Sequence, residues 1–317
     1  MSKENNRPLI SIVTPCYNEE ANVFNHFEQV SNALAPFSNI YNFEYIYTDN
    51  QSQDGTFQCL RQLCAKNSNV RALRFSRNIG ANRAIYLGLM QAKGDAIILI
   101  QADLQDPPEL IPEFIREWQA GFEVVYGQIQ NRDESWLMRS IRSAYYRFIT
   151  RLADYPVPRN AGEFRLTSRR VLDAVALYTE DDLYLRGAIA HIGFRQKAIP
   201  YDRSARMAGK SSTNFFFLIG YALNGLISTS TAMPLRLVIF VGISLALLGL
   251  FYFLFIIMAK LFFPSVVPAG FATVIALVTL FSGFQLFALG VVGEYIRKIY
   301  IQSLRRPLGF IQDRINC

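Results

Sequence analysis

The stretch Gln101-Ala102-Asp103-Leu104-Gln105-Asp106-Pro107-Pro108-Glu109 follows directly on the apolar run Ala96 to Ile100. The two carboxylates and two carboxamides ahead of its prolines serve no purpose at the end of a buried strand, since an unpaired charge in a core is costly. Pro107 and Pro108 already end the strand without further oxygen donors. Oxygen ligands on a rigid strand end suit Mg²⁺ or Mn²⁺, which proteins typically hold through one or two carboxylates while a bound diphosphate supplies the rest. Two other clusters have the same setting. Thr14-Pro15-Cys16-Tyr17-Asn18-Glu19 follows the run Leu9 to Val13, and Asp49-Asn50-Gln51-Ser52-Gln53-Asp54-Gly55 follows Phe43 to Thr48. Turn chemistry is the competing explanation for each, and for Asp54-Gly55 a helix N-cap suffices.

The elements that must position these clusters alternate. After the first strand, Asn18 is the expected helix cap, Glu19 and Glu20 fall in the first turn, and Val23, Phe27, Val30 and Leu34 form an apolar stripe. Asp54-Gly55-Thr56 opens a second helix. Val70 to Phe75 is a third strand, a helix then runs to about Gly94 as its C-cap, and Ala96 to Ile100 is the fourth strand. Strands alternating with helices imply an α/β fold whose parallel sheet is covered on both faces and binds ligands beyond the carboxyl ends of its strands. No Gly-x-Gly-x-x-Gly follows the first strand, which argues against a dinucleotide-dependent oxidoreductase. Cys16, Cys59, Cys64 and Cys317 show neither metal nor disulfide spacing, and His26 and His191 are the only histidines. No zinc site is expected, and the cysteines suit a reducing compartment.

Two further features concern anions and membranes. Between Gln128 and Arg170 there are nine arginines, no lysine and four acids, a bias toward the planar fork that binds phosphate at two points. Within 136–153, Leu137, Ile141, Tyr145, Phe148 and Leu152 share one helical arc, with Arg139, Arg142, Arg147 and Arg151 off it. Such a helix rests on an anionic bilayer or guides a lipid phosphate; a core-facing helix with a solvated basic face is the other reading. Leu237 to Ala259 is 23 residues without a charge, and Ala269 to Gly293 adds 25 more. Each exceeds the roughly 20 residues needed to cross a bilayer, so both read as transmembrane helices. Arginines and lysines before the first span and after the second place both termini in the cytoplasm. The N-terminal MSKENNRP lacks the apolar core of a signal peptide. The segment 213–234, with Phe215 to Phe217, reads as interfacial amphipathic helices. The expected organisation is a cytoplasmic domain over 1–212, interfacial helices over 213–234, a transmembrane hairpin over 235–295 and a cytoplasmic tail over 296–317.

Taken together, Pro15-Cys16-Tyr17-Asn18-Glu19, Asp49 with Asp54-Gly55-Thr56, and Gln101 to Glu109 resemble the GT-A domain of family 2 glycosyltransferases. More narrowly, the chain resembles the polyprenyl-phosphate glycosyltransferases, in the bactoprenol glucosyltransferase branch and similar to dolichol-phosphate mannose synthase. The resemblance covers almost the whole chain. It implies an α/β fold: a GT-A nucleotide-sugar-binding domain with a mostly parallel sheet, then interfacial helices and two transmembrane helices. Donor binding is implied for Pro15, Tyr17, Asn18, Glu19, Asp49, Gln101, Ala102 and Asp103. The family's Asp-Ala-Asp stands here as Gln101-Ala102-Asp103, which leaves metal binding to Asp103 with Gln105 as a carbonyl-oxygen ligand. Its Val-Asp-Asp-Gly-Ser stands as Thr48-Asp49-Asn50-Gln51-Ser52, and its Gly-Asp-Phe-Arg as Gly162-Glu163-Phe164-Arg165. Phosphate or acceptor contacts are implied for Arg132, Arg139 and Arg165, and for Arg203, Arg206, Lys210 and Ser211 of the loop that resembles the family's Arg-x-x-Arg-x-x-Gly-x-Ser. Topology signalling competes for that last loop. Asp103, Glu163 and Arg206 are the expected catalytic residues.

A polyprenyl phosphate is anionic at neutral pH, since the second pKa of a phosphate monoester is about 6. Its oxygen can attack an anomeric carbon without a strong base, in keeping with candidate loops that contain no histidine. The departing nucleoside diphosphate needs charge relief, from Mg²⁺ or Mn²⁺ as a Lewis acid and from arginines. The resemblance implies displacement with inversion, UDP-glucose as donor and undecaprenyl phosphate as acceptor, in the service of cell-envelope glycans such as lipopolysaccharide O-antigen. A 4-amino-arabinose derivative, an N-acetylhexosamine or mannose are the alternative sugars. The expected partners are the donor, the lipid acceptor, the bilayer and further copies of the chain, with no nucleic acid. The expected location is a bacterial inner membrane, multi-pass, with a cytoplasmic catalytic domain. A processive polysaccharide synthase would carry a Gln-x-x-Arg-Trp motif, but Trp occurs only at 118 and 136, in neither case in that context. A non-catalytic nucleotide-binding scaffold is the rival from another class. Gly242 and Gly249, and Gly283, Gly290 and Gly293, point to helix packing.

Overall fold

A computed structural model describes residues 7–130, 161–178, 180, 183–203, 233–262 and 270–317. Strands β1 (Leu9–Cys16), β2 (Asn42–Asp49), β3 (Val70–Phe75) and β4 (Ala96–Leu99) alternate with helices α1 (Val23–Leu34), α2 (Thr56–Lys66) and α3 (Ala81–Leu89). Helix α4 (Ile111–Gln119) and strand β5 (Val124–Ile129) follow. Then come β6 (Ala161–Ser168), α5 (Arg169–Ala176), α6 (Leu185–Ile192) and β7 (Gln196–Tyr201). The last three elements are α7 (Met233–Phe262), α8 (Phe271–Ser303) and β8 (Ile311–Ile315). The eight strands form one sheet in the order β7-β5-β6-β4-β1-β2-β3-β8. β1 runs parallel to β2 and β4, β2 to β3, and β5 to β7; β6 and β8 run antiparallel to their neighbours.

Alternation along the strands builds two cores. Ile10, Ile12, Tyr47, Ile98 and Ile100 face α1, α2 and α4 through Val30, Leu60 and Phe114. Val13, Ile46, Leu73, Ile97 and Leu99 face α3, α5 and α6 through Ile85, Val171 and Ile189. Both faces of the central strands are therefore apolar, as a covered parallel sheet requires. Each large side chain buried here is worth about 1.5–3 kcal/mol. His26 lies wholly within the first core, its Nδ1 3.1 Å from Tyr47 Oη. Burial drives its pKa down to about 3.

Three expectations are corrected. Asn18 does not cap α1, which begins at Val23; it sits in the left-handed region at φ 56°. Gly94 is not the C-cap of α3, which ends at Leu89. A Cβ on Gly94 would lie 2.7 Å from Leu9 O and from Ser11 N, so glycine is needed where this turn passes against β1. The stretch 296–317 is more than a tail. Residues 311–315 add an edge strand with Arg74 opposite Asp313, and Ser76 N donates to Phe310 O at 2.9 Å. Asn316 Nδ2 then donates to Cys64 O and Val70 O.

Contacts divide the chain into one unit of 1–229 with 306–317 and a second of 230–305. The second unit holds α7 and α8. Among the described residues, one stretch is long and apolar enough to cross a membrane, Val238–Ala259 in α7, and none of the side chains described there is buried. The second expected span lies in α8 and is not confirmed as a crossing. Gly242 and Gly249 serve packing within this pair: a Cβ would meet Phe284 at 3.2 Å and Phe281 at 3.3 Å, respectively. Nothing lies within 4 Å of such an atom at Gly283, Gly290 or Gly293.

Candidate active site

The polar clusters converge on the carboxyl edge of the sheet. Register aligns Cys16 with Asp49 and Val13 with Leu99, so the segments after β1, β2 and β4 leave the sheet side by side. Each carries one non-glycine residue in the left-handed region: Asn18 at φ 56°, Gln51 at 60° and Leu104 at 54°. That conformation is costly for leucine, and strain of this kind concentrates where surrounding structure over-determines a functional loop.

The first two loops clasp each other. Asn18 N donates to Ser52 Oγ while Asn18 Oδ1 accepts from Gln53 N. Glu19 N donates to Thr56 Oγ1, and Gly55 N donates to Glu20 Oε2. Asp49 is fully buried; its Oδ1 accepts from Ser52 N at 3.0 Å and its Oδ2 faces Arg74 Nε at 3.3 Å. Arg74 in turn donates to Gln51 Oε1 and Ser52 O and lies over the Phe57 ring. Asp49 thus holds both its own loop and the Arg74 guanidinium. Tyr17 is left exposed at the rim.

Beyond β4, the turn at Leu104 brings Gln105 back so that its N–H donates to Asp103 Oδ1 at 3.2 Å. Asp103 is 2% exposed, and Ala102 is buried beside it. The Asp103 carboxylate with the carbonyl oxygen of Gln105 is an oxygen donor set that fits a hard cation and leaves positions open for a diphosphate. Among the described residues no group of three or more His, Cys, Asp or Glu gathers into a fuller metal site. Asp106 accepts from Tyr201 Oη and pairs with Arg203 Nε at 3.1 Å. Burial pushes the Asp106 carboxyl up, and Arg203 and Tyr201 pull it back only in part. Arg203 Nη2 also donates to Gln101 Oε1 at 3.4 Å.

Opposite this segment, β6 presents Glu163. Arg186 Nε donates to its Oε1 at 2.6 Å and Arg165 Nη2 to its Oε2 at 3.2 Å. Burial pushes the Glu163 carboxyl up, but Arg186 and Arg165 outweigh it and hold the group below its usual range. Glu163 is therefore an anion at neutral pH, unsuited to donate a proton.

Of the residues expected from sequence, the edge brings together Pro15, Tyr17, Asn18, Glu19, Asp49, Gln101, Ala102, Asp103, Gln105, Glu163 and Arg203. Arg165, expected to bind phosphate, is 4% exposed; its Nε and Nη2 donate to Glu163 O and Gly162 O inside the protein. It acts on Glu163 instead. Arg132, Arg139, Arg206, Lys210 and Ser211 lie outside the described residues, as do the arginine-rich helix over 136–153 and the interfacial segment 213–232. Sequence reasoning missed Arg186, Tyr201 and the Ser76–Gly80 loop. Asn50 accepts from Ile79 N and donates to Asn78 Oδ1, which joins that loop to the edge. The signal was a polar Ser76-Arg77-Asn78 after the third strand; Arg186 carried none, because its partner lies 23 residues away.

Residues 11–176 match the family described as Glycosyl transferase family 2. An uncharacterized glycosyltransferase of Synechocystis sp. is 34% identical over 305 residues, 96% of this chain and 95% of that protein. A protein of Shigella phage SfV named bactoprenol glucosyl transferase is 34% identical over 307 residues, 96% and 98% of the two chains. Among solved structures, glucosyl-3-phosphoglycerate synthase from Mycobacterium tuberculosis with UDP aligns at 18% identity and a TM-score of 0.44, over 70% of this chain and 80% of that one.

Proposed function

The chain belongs to glycosyl transferase family 2 and is a glycosyltransferase, and from that membership we propose that it moves a hexose from a UDP-sugar to polyprenyl phosphate at the cytoplasmic leaflet of a bacterial inner membrane. The observation that carries the reading is the edge itself: two clasped loops after β1 and β2 and the turn after β4 that carries Asp103, each with a left-handed non-glycine residue. The relative named bactoprenol glucosyl transferase, similar over nearly its full length, favours undecaprenyl phosphate as acceptor and glucose as the sugar.

Connectivity supports two crossings. The chain leaves the first unit at 229 and rejoins it at 306, where β8 pairs with β3. Both ends of the hairpin then lie on one side of the bilayer, so a crossing by α7 requires a return by α8.

Asp103 and Gln105 would hold a divalent cation, which when bound supplies charge relief to the departing diphosphate. The clasped loops over Asp49 and Arg74 seat the nucleoside, and Arg203 adds positive charge between Asp106 and Gln101. Glu163, held ionised, orients the acceptor side without taking part in proton transfer. The lipid phosphate is already anionic, so it attacks the anomeric carbon directly, the carbon–diphosphate bond breaks on the opposite face, and configuration inverts. Purified full-length protein given radiolabelled UDP-sugars and undecaprenyl phosphate tests this. Metal-dependent transfer to lipid, lost in Asp103→Ala, supports it; nucleotide binding without transfer to any sugar's lipid product supports a scaffold.

A further inference from the structure

Asp106 is the carboxylate of the strand-end cluster that the chemistry above leaves unused. It is 1% exposed, and the fold goes to some length to hold it. Tyr201, at the end of β7, donates its phenolic O–H to Asp106 Oδ1. Two bare backbone positions let the ring reach that point. A Cβ on Gly127 of β5 would lie 2.6 Å from Tyr201 Cε1, and one on Gly162 of β6 would lie 3.3 Å from Tyr201 Oη. Phe164 meets the ring edge-on, with centroids 6.4 Å apart. Three strands therefore cooperate to set one phenol against one buried carboxylate, although an apolar replacement of such a group is often neutral or stabilising.

What the carboxylate holds is Arg203. The Arg203 Nε lies 3.1 Å from Asp106 Oδ1 but lacks hydrogen-bond geometry, and among the described residues Nη2 contacts the neutral Gln101, at 3.4 Å. Among those residues the guanidinium is held by charge and not by short directional bonds. Its side chain is 26% exposed, between Asp106 and Gln101 of the strand-end cluster.

We propose that Tyr201 and Asp106 are positioning residues that hold Arg203 ready for the outer phosphate of a nucleoside diphosphate. Tyr201 fixes the carboxylate, the carboxylate retains the guanidinium, and the weak Gln101 contact is the one given up when the phosphate arrives. The proposal rests on reading this edge as a nucleotide-sugar site.

Calorimetric binding of UDP and UMP to the full-length protein in detergent tests it, with Tyr201→Phe, Arg203→Ala and the double variant. Tyr201→Phe is expected to weaken UDP about three- to tenfold, the worth of one hydrogen bond, with UMP affinity unchanged. In the Arg203→Ala background the same change should cost nothing more. Asp106→Asn, which keeps the shape and removes the charge, should reproduce the UDP-confined loss. Additive losses, equal losses for UDP and UMP, or an unaltered Tyr201→Phe would overturn the positioning role alone. A wild-type protein that binds neither nucleotide would overturn the nucleotide-sugar reading and this proposal with it.

Discussion

Replacing Arg186 by Met removes the nearer of the two guanidinium groups on Glu163. The Nε–Oε1 distance is 2.6 Å, and the two side chains are 19% and 14% exposed, so the pair is largely shielded from water. Stripping one partner from a buried ion pair costs roughly 3–5 kcal/mol. Arg165 still faces the other oxygen at 3.2 Å, so about half of that loss is expected, roughly 1.5–2.5 kcal/mol. At about 2–4 °C for each kcal/mol in a domain of this size, the melting temperature should fall by roughly 3–10 °C. The pH dependence sharpens the test. In the wild type the folded carboxyl titrates below its unfolded value of 4.5, so its contribution is present above that value and is lost as pH falls through the folded pKa. Without Arg186, burial is opposed by Arg165 and, to a lesser extent, Arg203, and the folded pKa rises. Protonation then relieves the buried charge, and the deficit of the variant should be largest near neutral pH and shrink toward pH of about 5. Adding Glu163→Gln should restore much of the lost stability. Thermal unfolding across this range in detergent reads both effects. A deficit that is flat with pH, or untouched by the second substitution, would refute the reasoning.

Other consequences can be checked as readily. His26 is held neutral by burial, with a folded pKa of about 3 against 6.5 unfolded, so the unfolded chain binds one more proton between those values. Stability should rise with pH there by up to about 1.4 kcal/mol per unit, and urea unfolding of His26→Gln should show a slope smaller by one proton; an equal slope counts against it. Gly94→Ala places a methyl 2.7 Å from the backbone of Leu9 and Ser11, which cannot yield as a side chain would, and a loss of about 1–3 kcal/mol or more is expected in the melting curve. Cys317 is exposed and follows β8, so an impermeant thiol reagent should label it in inverted membrane vesicles and not in intact spheroplasts. Labelling from the outside would contradict a cytoplasmic C-terminal strand and, through its pairing with β3, a cytoplasmic catalytic unit.

The central βα repeats were legible because each strand is an apolar run and each helix an apolar stripe, both set by local sequence. The three loops were legible for a related reason: Asp103, Asp49 and Asn18 are polar residues placed immediately after such runs. Helix ends were less so. Asn18 has the chemistry of a cap, yet its side chain is spent on Gln53 across the clasp, and Gly94 is required by β1, a contact that no local pattern reveals. Strand β8 has only two apolar residues, Ile311 and Ile315, around the polar Gln312-Asp313-Arg314, and after a long apolar helix it read as a tail. Arg165 and Arg203 carry the same charge in similar motifs. Only packing separates the one turned inward onto Glu163 from the one left at the rim.

The central claim is that Asp103 holds a cation against a donor diphosphate at the carboxyl edge of the sheet. Anomalous scattering from the full-length protein bound to UDP and Mn²⁺ tests it most directly. The account predicts a manganese peak in contact with the Asp103 carboxylate, bridged to the diphosphate, with the nucleoside over the loops that follow β1 and β2. A peak that leaves Asp103 untouched, or a nucleotide seated away from this edge, would contradict it.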